Sequence, residues 1–241
     1  MNAPMKLDAS TPLRTSPLHS ALSKLNPRRI TINQMSVPAS IGTPAEEAER
    51  LHTVALADLS HLKRSGLKGS QAEAWLESIG VEPPSGINRW APIGECSLIA
   101  RLATSEFLIE DNVGQDYADR IRAQLGRGVL GVTPVLRQDA EIALVGPRTN
   151  ELLLQTCSFN FAALDLLTRP IVLTSMIGVS VLVIPGTWRN APFYQIWCDG
   201  TYATYLWEQL LKIAKELGGG AVGLAALFHD ANRNPSVVTR K

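Results

Sequence analysis

Cysteine and histidine are scarce in this sequence, and their scarcity excludes two kinds of site. The three cysteines, Cys96, Cys157 and Cys198, are far apart and odd in number, which fits reduced thiols better than a disulfide framework. Their spacing matches no zinc motif. The four histidines are scattered without clustered carboxylates. We therefore predict no metal ligand on this chain and a reducing, cytoplasmic location.

Long apolar runs are also lacking, since no stretch reaches the roughly 18 residues that a transmembrane helix needs. The longest apolar stretch, residues 170–184, is rich in Val, Ile, Thr and Ser and indicates buried strands. Residues 1–20 lack the apolar core of a secretory signal. An organelle transit peptide is the alternative for this basic segment, but its prolines and Asp8 disfavour an amphipathic helix. We predict no membrane segment.

Charge is modest in amount and nearly balanced in sign. Charged residues make up 19% of the chain and the net charge is +1, so nothing favours nucleic acid or a membrane surface as a partner. The low charged fraction favours a protein that buries part of its surface against other chains. A length of 241 residues with 45% apolar content suits one large domain or two small ones.

The first 40 residues differ in composition from the rest of the chain. They carry Pro, Ser, Asn and several basic residues against the single Asp8, which predicts an extended arm that is ordered only against a partner. A helix begins after Thr43, the predicted N-cap, with Pro44 in its first turn and Glu46 completing a capping box. We expect a first lobe over residues 41–128, a second over 129–228 and a loose tail over 229–241.

One local pattern occurs in both predicted lobes. An apolar run ends at Gly69 in the first copy and at Gly146 in the second, and a helix-starting residue, Ser70 or Pro147, follows. Glycine permits a sharp turn, and Ser at the N-cap or Pro in the first turn suits a helix start. The pattern predicts a repeated strand–Gly–helix unit in an α+β or mixed α/β fold of two similar halves, divided near residues 126–132.

The residue triplet Asp58, Ser60 and His61 contains the residue types of a nucleophilic triad. Such a site is recognised by spatial geometry, which adjacency in sequence does not provide. No Gly-x-Ser-x-Gly elbow accompanies it. We therefore interpret residues 58–61 as a structural turn, with catalysis by Ser60 or His61 as the less favoured alternative.

Other motifs favour structural roles. The glycines at residues 126–128 and 218–220 are interpreted as helix ends rather than phosphate loops, because the required lysine or pyrophosphate spacing is missing. Cys157 and Cys198 flank apolar runs and are predicted to be core thiols. The acidic pairs at residues 46–47 and 110–111 are predicted to be solvated. The loop at residues 188–190 contains an aromatic residue and a cation and is predicted to be an exposed contact surface. Residues 185–186 are predicted to break the chain after the strand pair that precedes this loop.

Several short segments occur in an order that carries a family resemblance: residues 57–61 (ADLSH), 67–70 (LKGS), 143–147 (ALVGP), 206–211 (LWEQLL) and 222–224 (VGL). Together they resemble the folate-binding aminomethyltransferase, or glycine-cleavage T-protein, superfamily. The nearest likeness is to the gamma subunit of heterotetrameric sarcosine oxidases and related N-methyl amino acid dehydrogenases. The resemblance implies an α+β, T-protein-like folate-binding fold with two related α/β lobes and without the C-terminal barrel domain.

The departures from that family concern its functional acids. Active T-proteins carry Gly-Gly-x-x-Asp-Asp before the first hairpin, whereas residues 94–97 here are GECS. An acid is needed there to assist transfer at a developing cationic nitrogen. The last Glu of the family's pterin-holding segment corresponds to Gln195, and its Arg-Asp-x-Leu-Arg run corresponds to residues 225–229 (AALFH). The resemblance thus implies that the fold is kept and the folate chemistry is lost.

The resemblance therefore implies a non-catalytic, gamma-type structural subunit of a heterotetrameric flavoenzyme. Such an enzyme oxidatively demethylates an N-methyl amino acid and passes the one-carbon unit to tetrahydrofolate or formaldehyde. The expected partners are alpha, beta and delta-type subunits, which carry FAD, FMN, NAD, zinc and tetrahydrofolate; no catalytic, cofactor-binding or metal residue is assigned to this chain. The alternatives are a stand-alone aminomethyltransferase-like folate-binding protein and a binding module without a small ligand.

Overall fold

The computed structural model describes residues 14–228 of the chain. The strands are β1 (Arg14–Thr15), β2 (Arg28–Ile32), β3 (Met35–Ser40), β4 (Ala55–Asp58), β5 (Lys63–Lys68), β6 (Arg89–Ile93), β7 (Ser97–Ala103), β8 (Glu106–Asp111), β9 (Thr133–Val135), β10 (Ala140–Val145), β11 (Val172–Met176), β12 (Val179–Trp188), β13 (Ala191–Cys198) and β14 (Gly220–Ala221). The helices are α1 (His19–Ser23), α2 (Pro44–Leu51), α3 (Ala72–Ser78), α4 (Tyr117–Leu125), α5 (Thr149–Thr156), α6 (Gly200–Glu216) and α7 (Leu224–Phe228). Short 3-10 helices span Phe161–Ala163 and Leu166–Thr168.

These elements form two compact units, each discontinuous in sequence. The first unit comprises residues 14–61, 139–164 and 173–228, and the second comprises residues 62–138 and 165–172. The predicted lobe boundaries at residues 41–128 and 129–228 are therefore corrected. The physical reason is a long-range pairing, because β4 is hydrogen-bonded antiparallel to β10, far along the chain.

The first unit is built on a six-stranded sheet in the order β11-β12-β13-β10-β4-β14. The neighbouring strands β10 and β4 are buried along their whole length, as expected for apolar runs covered on both faces. Helix α6 contributes Leu206, Trp207 and Leu210 to the core, each fully buried. The strands at the middle of this sheet carry the polar residues described below.

Residues 14–40 are folded rather than extended. They form α1 and a three-stranded sheet in the order β1-β3-β2, and they bury Leu18, Leu22, Met35 and Val37 at 2% exposure or less. The prediction of an arm over residues 1–40 is wrong for this part, because four buried apolar side chains offset the low overall hydrophobicity. Residues 1–13 of that prediction, and the predicted tail over 229–241, lie outside the described residues.

The second unit is built on a five-stranded sheet in the order β6-β7-β8-β5-β9. Helices α3 and α4 cover it, and the shared core includes Leu67, Leu76, Phe107, Ile109 and Ile121. Strands β7 and β8 form a hairpin. Strand β9 is short, since only Thr133–Val135 pairs with β5.

The repeated strand–Gly–helix pattern is present in both units with the same hydrogen bonds. Gly69 follows β5 with φ +142°, and Gly146 follows β10 with φ +123°. Two residues later a backbone N–H donates to a carbonyl on a neighbouring segment: Gln71 N to Gly131 O at 3.2 Å, and Arg148 N to Thr53 O at 3.0 Å. The helices start slightly later than predicted, with Gln71 and Arg148 at their N-caps.

Helix α2 begins as predicted but buries an unpredicted face. Thr43 and Glu46 form the capping box, with Pro44 in the first turn. Glu47, predicted to be solvated, is only 3% exposed. Its Oε1 accepts hydrogen bonds from Ile41 N and Gly223 N, both at 2.6 Å. A carboxylate with two backbone donors satisfies the condition under which a charge is buried.

Strand β12 continues through the predicted break at Pro185 and Gly186. The loop predicted to expose an aromatic residue is a two-residue hairpin turn, in which Arg189 and Asn190 both have positive φ, as type I′ geometry requires. Trp188 is only 8% exposed, and the Arg189 guanidinium lies 4.6 Å from its ring centroid. The exposed aromatic contact predicted at Trp188 is therefore wrong.

Among the described helices, none combines the length and apolarity needed to cross a bilayer.

Candidate functional site

A buried polar cluster lies at the centre of the first unit's large sheet. Its members are Asp58 at the end of β4, Ser60 just beyond it, Glu141 on β10 and Gln195 on β13. Their exposed fractions are 2%, 2%, 0% and 3%. The strand order places β10 between β4 and β13, so the sheet itself brings these distant sequence positions together.

Hydrogen bonds connect the members of the buried polar cluster. Ser60 N donates to Asp58 Oδ1 at 2.9 Å, and Glu141 N donates to Ser60 Oγ at 3.0 Å. Gln195 Nε2 donates to Glu141 Oε1 at 2.7 Å. The hydroxyl of Ser60 thus serves as an acceptor that joins two strands, which is the role of a structural turn.

His61, the third residue of the apparent triad, is fully buried. Its carbonyl oxygen accepts a hydrogen bond from Asn33 Nδ2 at 3.1 Å. Asp58 bonds the backbone of Ser60 and, through its side chain, the hydroxyls of Ser16 and Ser60. Asp58, Ser60 and His61 thus make hydrogen bonds that link the end of β4 to neighbouring segments.

Burial raises the pKa of Asp58 above its ordinary value of 3.8; hydrogen bonds from Ser16 and Ser60 oppose the shift, and the nearby Glu141 adds to it. When the folded-state pKa is raised, the unfolded chain releases its proton first as pH increases. Asp58 therefore lowers the stability of the fold progressively as pH rises from about 4 through its folded-state pKa.

Replacing Asp58 by asparagine is expected to remove this pH dependence. Asparagine keeps an oxygen for Ser60 N and a donor for Ser16, without a buried titration. The free energy of unfolding of D58N relative to the unmodified protein should rise between acidic and neutral pH in chemical denaturation. The matched control is D199N. Hydrogen bonds from Thr201 lower the pKa of Asp199, so the stability that Asp199 contributes to the folded protein is lost as pH falls. Equal pH profiles for D58N and the unmodified protein would contradict the assignment.

The second unit holds a further buried polar group, the strand-end cluster of Arg64, Ser97, Glu110 and Asp111. Arg64 Nε and Glu110 Oε2 are 2.5 Å apart, and both side chains are 3% exposed. Asp111 is fully buried; its Oδ1 accepts from Ser97 Oγ and its Oδ2 from Ala118 N, each at 2.7 Å. The prediction that Glu110 and Asp111 are solvated is therefore wrong.

Both side-chain oxygens of Asp111 accept hydrogen bonds within the second unit. Burial raises its pKa, while the hydrogen bonds from Ser97 and from the backbone of Ala118 lower it. Because Ala118 lies in the first turn of α4, the carboxylate serves one of the N–H groups left without a helical partner. Asp111 thus fastens α4 to strands β7 and β8.

A sequence signal for the strand-end cluster exists in the strand register. β5 pairs with β8 so that Lys63 lies opposite Asp111 and Arg64 lies opposite Glu110, and opposite charges facing each other across strands stabilise a pair. Glu141 gives a weaker signal, as an acid that begins an otherwise apolar strand. Neither sequence signal can be recognised without knowing which strands pair with each other.

The cysteines behave as core thiols where this was predicted. Cys157 and Cys198 are buried, while Cys96 is partly exposed. Burial, together with the charges of Asp139 and Asp199, raises the pKa of Cys198 to about 12, which keeps it protonated and poorly nucleophilic. Among residues 14–228, no three His, Cys, Asp or Glu side chains are grouped as metal ligands.

No protein-family model matches the chain. The aminomethyltransferase of Bacillus cereus (strain B4264) is 25% identical over 232 residues, covering 89% of this chain and 62% of that protein. The solved glycine cleavage system aminomethyltransferase T of Bartonella henselae superposes with a TM-score of 0.74 at 20% identity, covering 92% of this chain and 63% of that one. The chain has the T-protein-like fold.

A chain of the heterotetrameric sarcosine oxidase of Corynebacterium sp. U-96 also shares the T-protein-like fold. It superposes with a TM-score of 0.60 at 18% identity, and the match covers 86% of this chain and 98% of that chain. By contrast, this chain spans only 62% of the length of the curated aminomethyltransferase it matches. The predicted resemblance to the T-protein-like superfamily and the predicted α+β fold class are confirmed.

Ser97 and Gln195, two residues that the family resemblance singles out, both make hydrogen bonds to buried carboxylates. Ser97, within the segment 94–97 that is predicted to take the place of the family's acid pair, donates its hydroxyl to Asp111. Gln195, predicted to take the place of the last Glu of the pterin-holding segment, donates to Glu141. Each side chain is 3% exposed and bonded within its own unit.

Proposed function

We propose that this chain is a non-catalytic, gamma-type structural subunit of a hetero-oligomeric flavoenzyme similar to the heterotetrameric sarcosine oxidase. The enzyme oxidatively demethylates an N-methyl amino acid and passes the one-carbon unit to tetrahydrofolate or formaldehyde. In this proposal the alpha, beta and delta-type partner subunits hold FAD, FMN, NAD, zinc and tetrahydrofolate. The complex works in the cytoplasm.

One observation carries the proposal that the chain is not itself catalytic. Residues 94–97 are predicted to take the place of the family's acid pair, and Gln195 the place of its last pterin-holding Glu. Ser97 and Gln195 are uncharged, and each donates a hydrogen bond to a buried carboxylate of the same unit. Neither side chain supplies the negative charge that stabilises a developing cationic nitrogen or holds a pterin. These residues do not fit a folate site of the T-protein kind.

The extent of the structural match supports a subunit role. The chain accounts for 98% of one chain of the Corynebacterium heterotetramer but only 63% of the Bartonella aminomethyltransferase. A chain whose fold matches nearly all of one chain of a heterotetramer favours a role as a subunit of the same kind.

A stand-alone folate-binding aminomethyltransferase is the second candidate. It is favoured by the alignment of 89% of the chain with the Bacillus aminomethyltransferase. It requires residues other than Ser97 and Gln195 to hold the pterin and assist amine transfer.

Titration with tetrahydrofolate separates the two candidates. We expect no stoichiometric binding by isothermal calorimetry under anaerobic conditions, because the two family acid positions are occupied by bonded neutral side chains. The aminomethyltransferase of Bacillus cereus, titrated under the same conditions, is the positive control. Tight one-to-one binding to this chain would reject the non-catalytic proposal in favour of the second candidate.

A further inference from the structure

Residues 14–45 carry positive charge without any acid. They contain Arg14, Lys24, Arg28 and Arg29, and the first acidic residue after them is Glu46. The whole chain, by contrast, has a net charge of only +1. Because the segment is folded into α1 and the three-stranded sheet, its charge is fixed on one ordered element.

Two of the four cations are already engaged within the chain. Lys24 Nζ lies 2.7 Å from Glu208 Oε1, and Arg14 takes part in another interaction. Arg28 and Arg29 differ, since their side-chain bonds go to serine hydroxyls: Arg28 Nε to Ser40 Oγ at 3.4 Å, and Arg29 Nη2 to Ser23 Oγ at 3.1 Å. Within residues 14–228 neither guanidinium meets a carboxylate.

Arg28 and Arg29, with Ser23 and Ser40, are named the basic edge. The two arginines are the first residues of β2, which is the outer strand of its sheet. Arg28 is exposed and Arg29 is half-buried. A guanidinium has five N–H donors in a planar fork that matches a carboxylate, and a bond to one hydroxyl leaves most of them unused.

We propose that the basic edge binds an acidic segment of a partner chain, rich in Asp or Glu, when the hetero-oligomer assembles. This inference rests on the proposed function and names the kind of surface that the partner presents. Charge complementarity at the rim of an interface speeds encounter and fixes orientation. Nucleic acid is a poorer fit, because it calls for a basic stripe and a strongly positive domain.

The test compares assembly of the full chain with its co-expressed partner subunits for three proteins. The Arg28→Gln/Arg29→Gln double variant removes both charges while keeping donors for Ser23 and Ser40. The Arg127→Gln variant removes a charge from an exposed position of the second unit. We expect the double variant to slow association by about tenfold at low ionic strength. This difference should vanish at high salt, and Arg127→Gln should associate normally.

Hexaglutamate serves as the direct probe of the basic edge. It should inhibit assembly of the unmodified chain and not of the double variant, and both chains should melt at similar temperatures. Equal association rates and salt dependence for the double variant and the unmodified chain would overturn the inference. It would also be overturned if the basic edge bound an oligonucleotide or anionic vesicles and not hexaglutamate. If the unmodified chain fails to assemble at all, the proposed function fails, and hexaglutamate binding to the isolated chain tests the basic edge separately.

Discussion

Replacing Gly146 by alanine is expected to destabilise the protein by about 4 kcal/mol or more, enough to remove much of a typical domain's stability. The backbone there has φ +123°, a conformation that side chains strongly disfavour. An added Cβ would also lie 2.4 Å from Thr53 O, the same carbonyl that accepts from Arg148 N. Relieving the clash therefore means breaking the hydrogen bond that orients α5.

Gly69 occupies the equivalent turn in the second unit and should respond in the same way. Its φ is +142°, and an added Cβ would lie 2.1 Å from Gly131 O, which accepts from Gln71 N. The matched control is Gly80→Ala: φ there is +78° and nothing lies within 4 Å of the added Cβ. Only backbone strain remains at Gly80, about 1 kcal/mol.

Urea denaturation followed by circular dichroism gives the free energy of unfolding for these three variants. The order expected is a small loss for Gly80→Ala and losses several times larger for Gly69→Ala and Gly146→Ala. Similar losses of unfolding free energy in all three variants would show that the contacts of the added Cβ with Thr53 O and Gly131 O cost nothing beyond backbone strain. That result would contradict the explanation given for both turns.

Replacing Glu47 by alanine is the second change with a large expected effect, about 3 kcal/mol. The carboxylate accepts from Ile41 N and Gly223 N at 2.6 Å through a single oxygen. Alanine leaves both backbone donors buried without an acceptor, at a cost of roughly 1–3 kcal/mol each. The bonds join α2 to the chain just before it and to the segment between β14 and α7, so the loss affects contacts between distant parts of the first unit.

Two further variants at α2 isolate the cause. Glu47→Gln retains an oxygen that can accept both bonds and should cost much less than alanine. Glu49→Ala makes the same truncation at an exposed position of the helix and should change the free energy of unfolding by less than about 0.5 kcal/mol. A loss in Glu49→Ala as large as in Glu47→Ala would point to the helix surface rather than to the buried carboxylate.

Local patterns in the sequence predicted the local structures well. The Thr43–Glu46 capping box and the glycine turns at Gly69 and Gly146 follow from the short-range preferences of a few residues. The structure agrees because each of these features is decided within one turn of helix or one tight turn. Such features do not depend on which distant segments become neighbours.

The features that sequence reasoning missed depend on long-range pairing. Glu47 and Asp111 belong to acidic pairs that look solvated, and they are buried because donors from distant segments meet them, Gly223 N for Glu47 and Ser97 for Asp111. The division into two discontinuous units follows from the pairing of β4 with β10. Neither result is encoded in local periodicity or charge.

The resemblance located the positions that matter, and the structure gave them a physical role. The resemblance predicts only that residues 94–97, which include Ser97, and Gln195 take the places of functional acids. Their hydrogen bonds to Asp111 and Glu141 add that each neutral side chain is built into the interior of its unit. Both neutral side chains are thus bonded to a buried carboxylate of their own unit.

The most direct test of the subunit proposal is co-expression with flavin-binding amine oxidase and zinc-protein chains of the heterotetrameric sarcosine oxidase kind. We expect the tagged chain to elute with stoichiometric flavoprotein, visible as flavin absorbance in size-exclusion chromatography, when the partners are present. A well-behaved monomer that elutes apart from those flavoproteins would contradict the account.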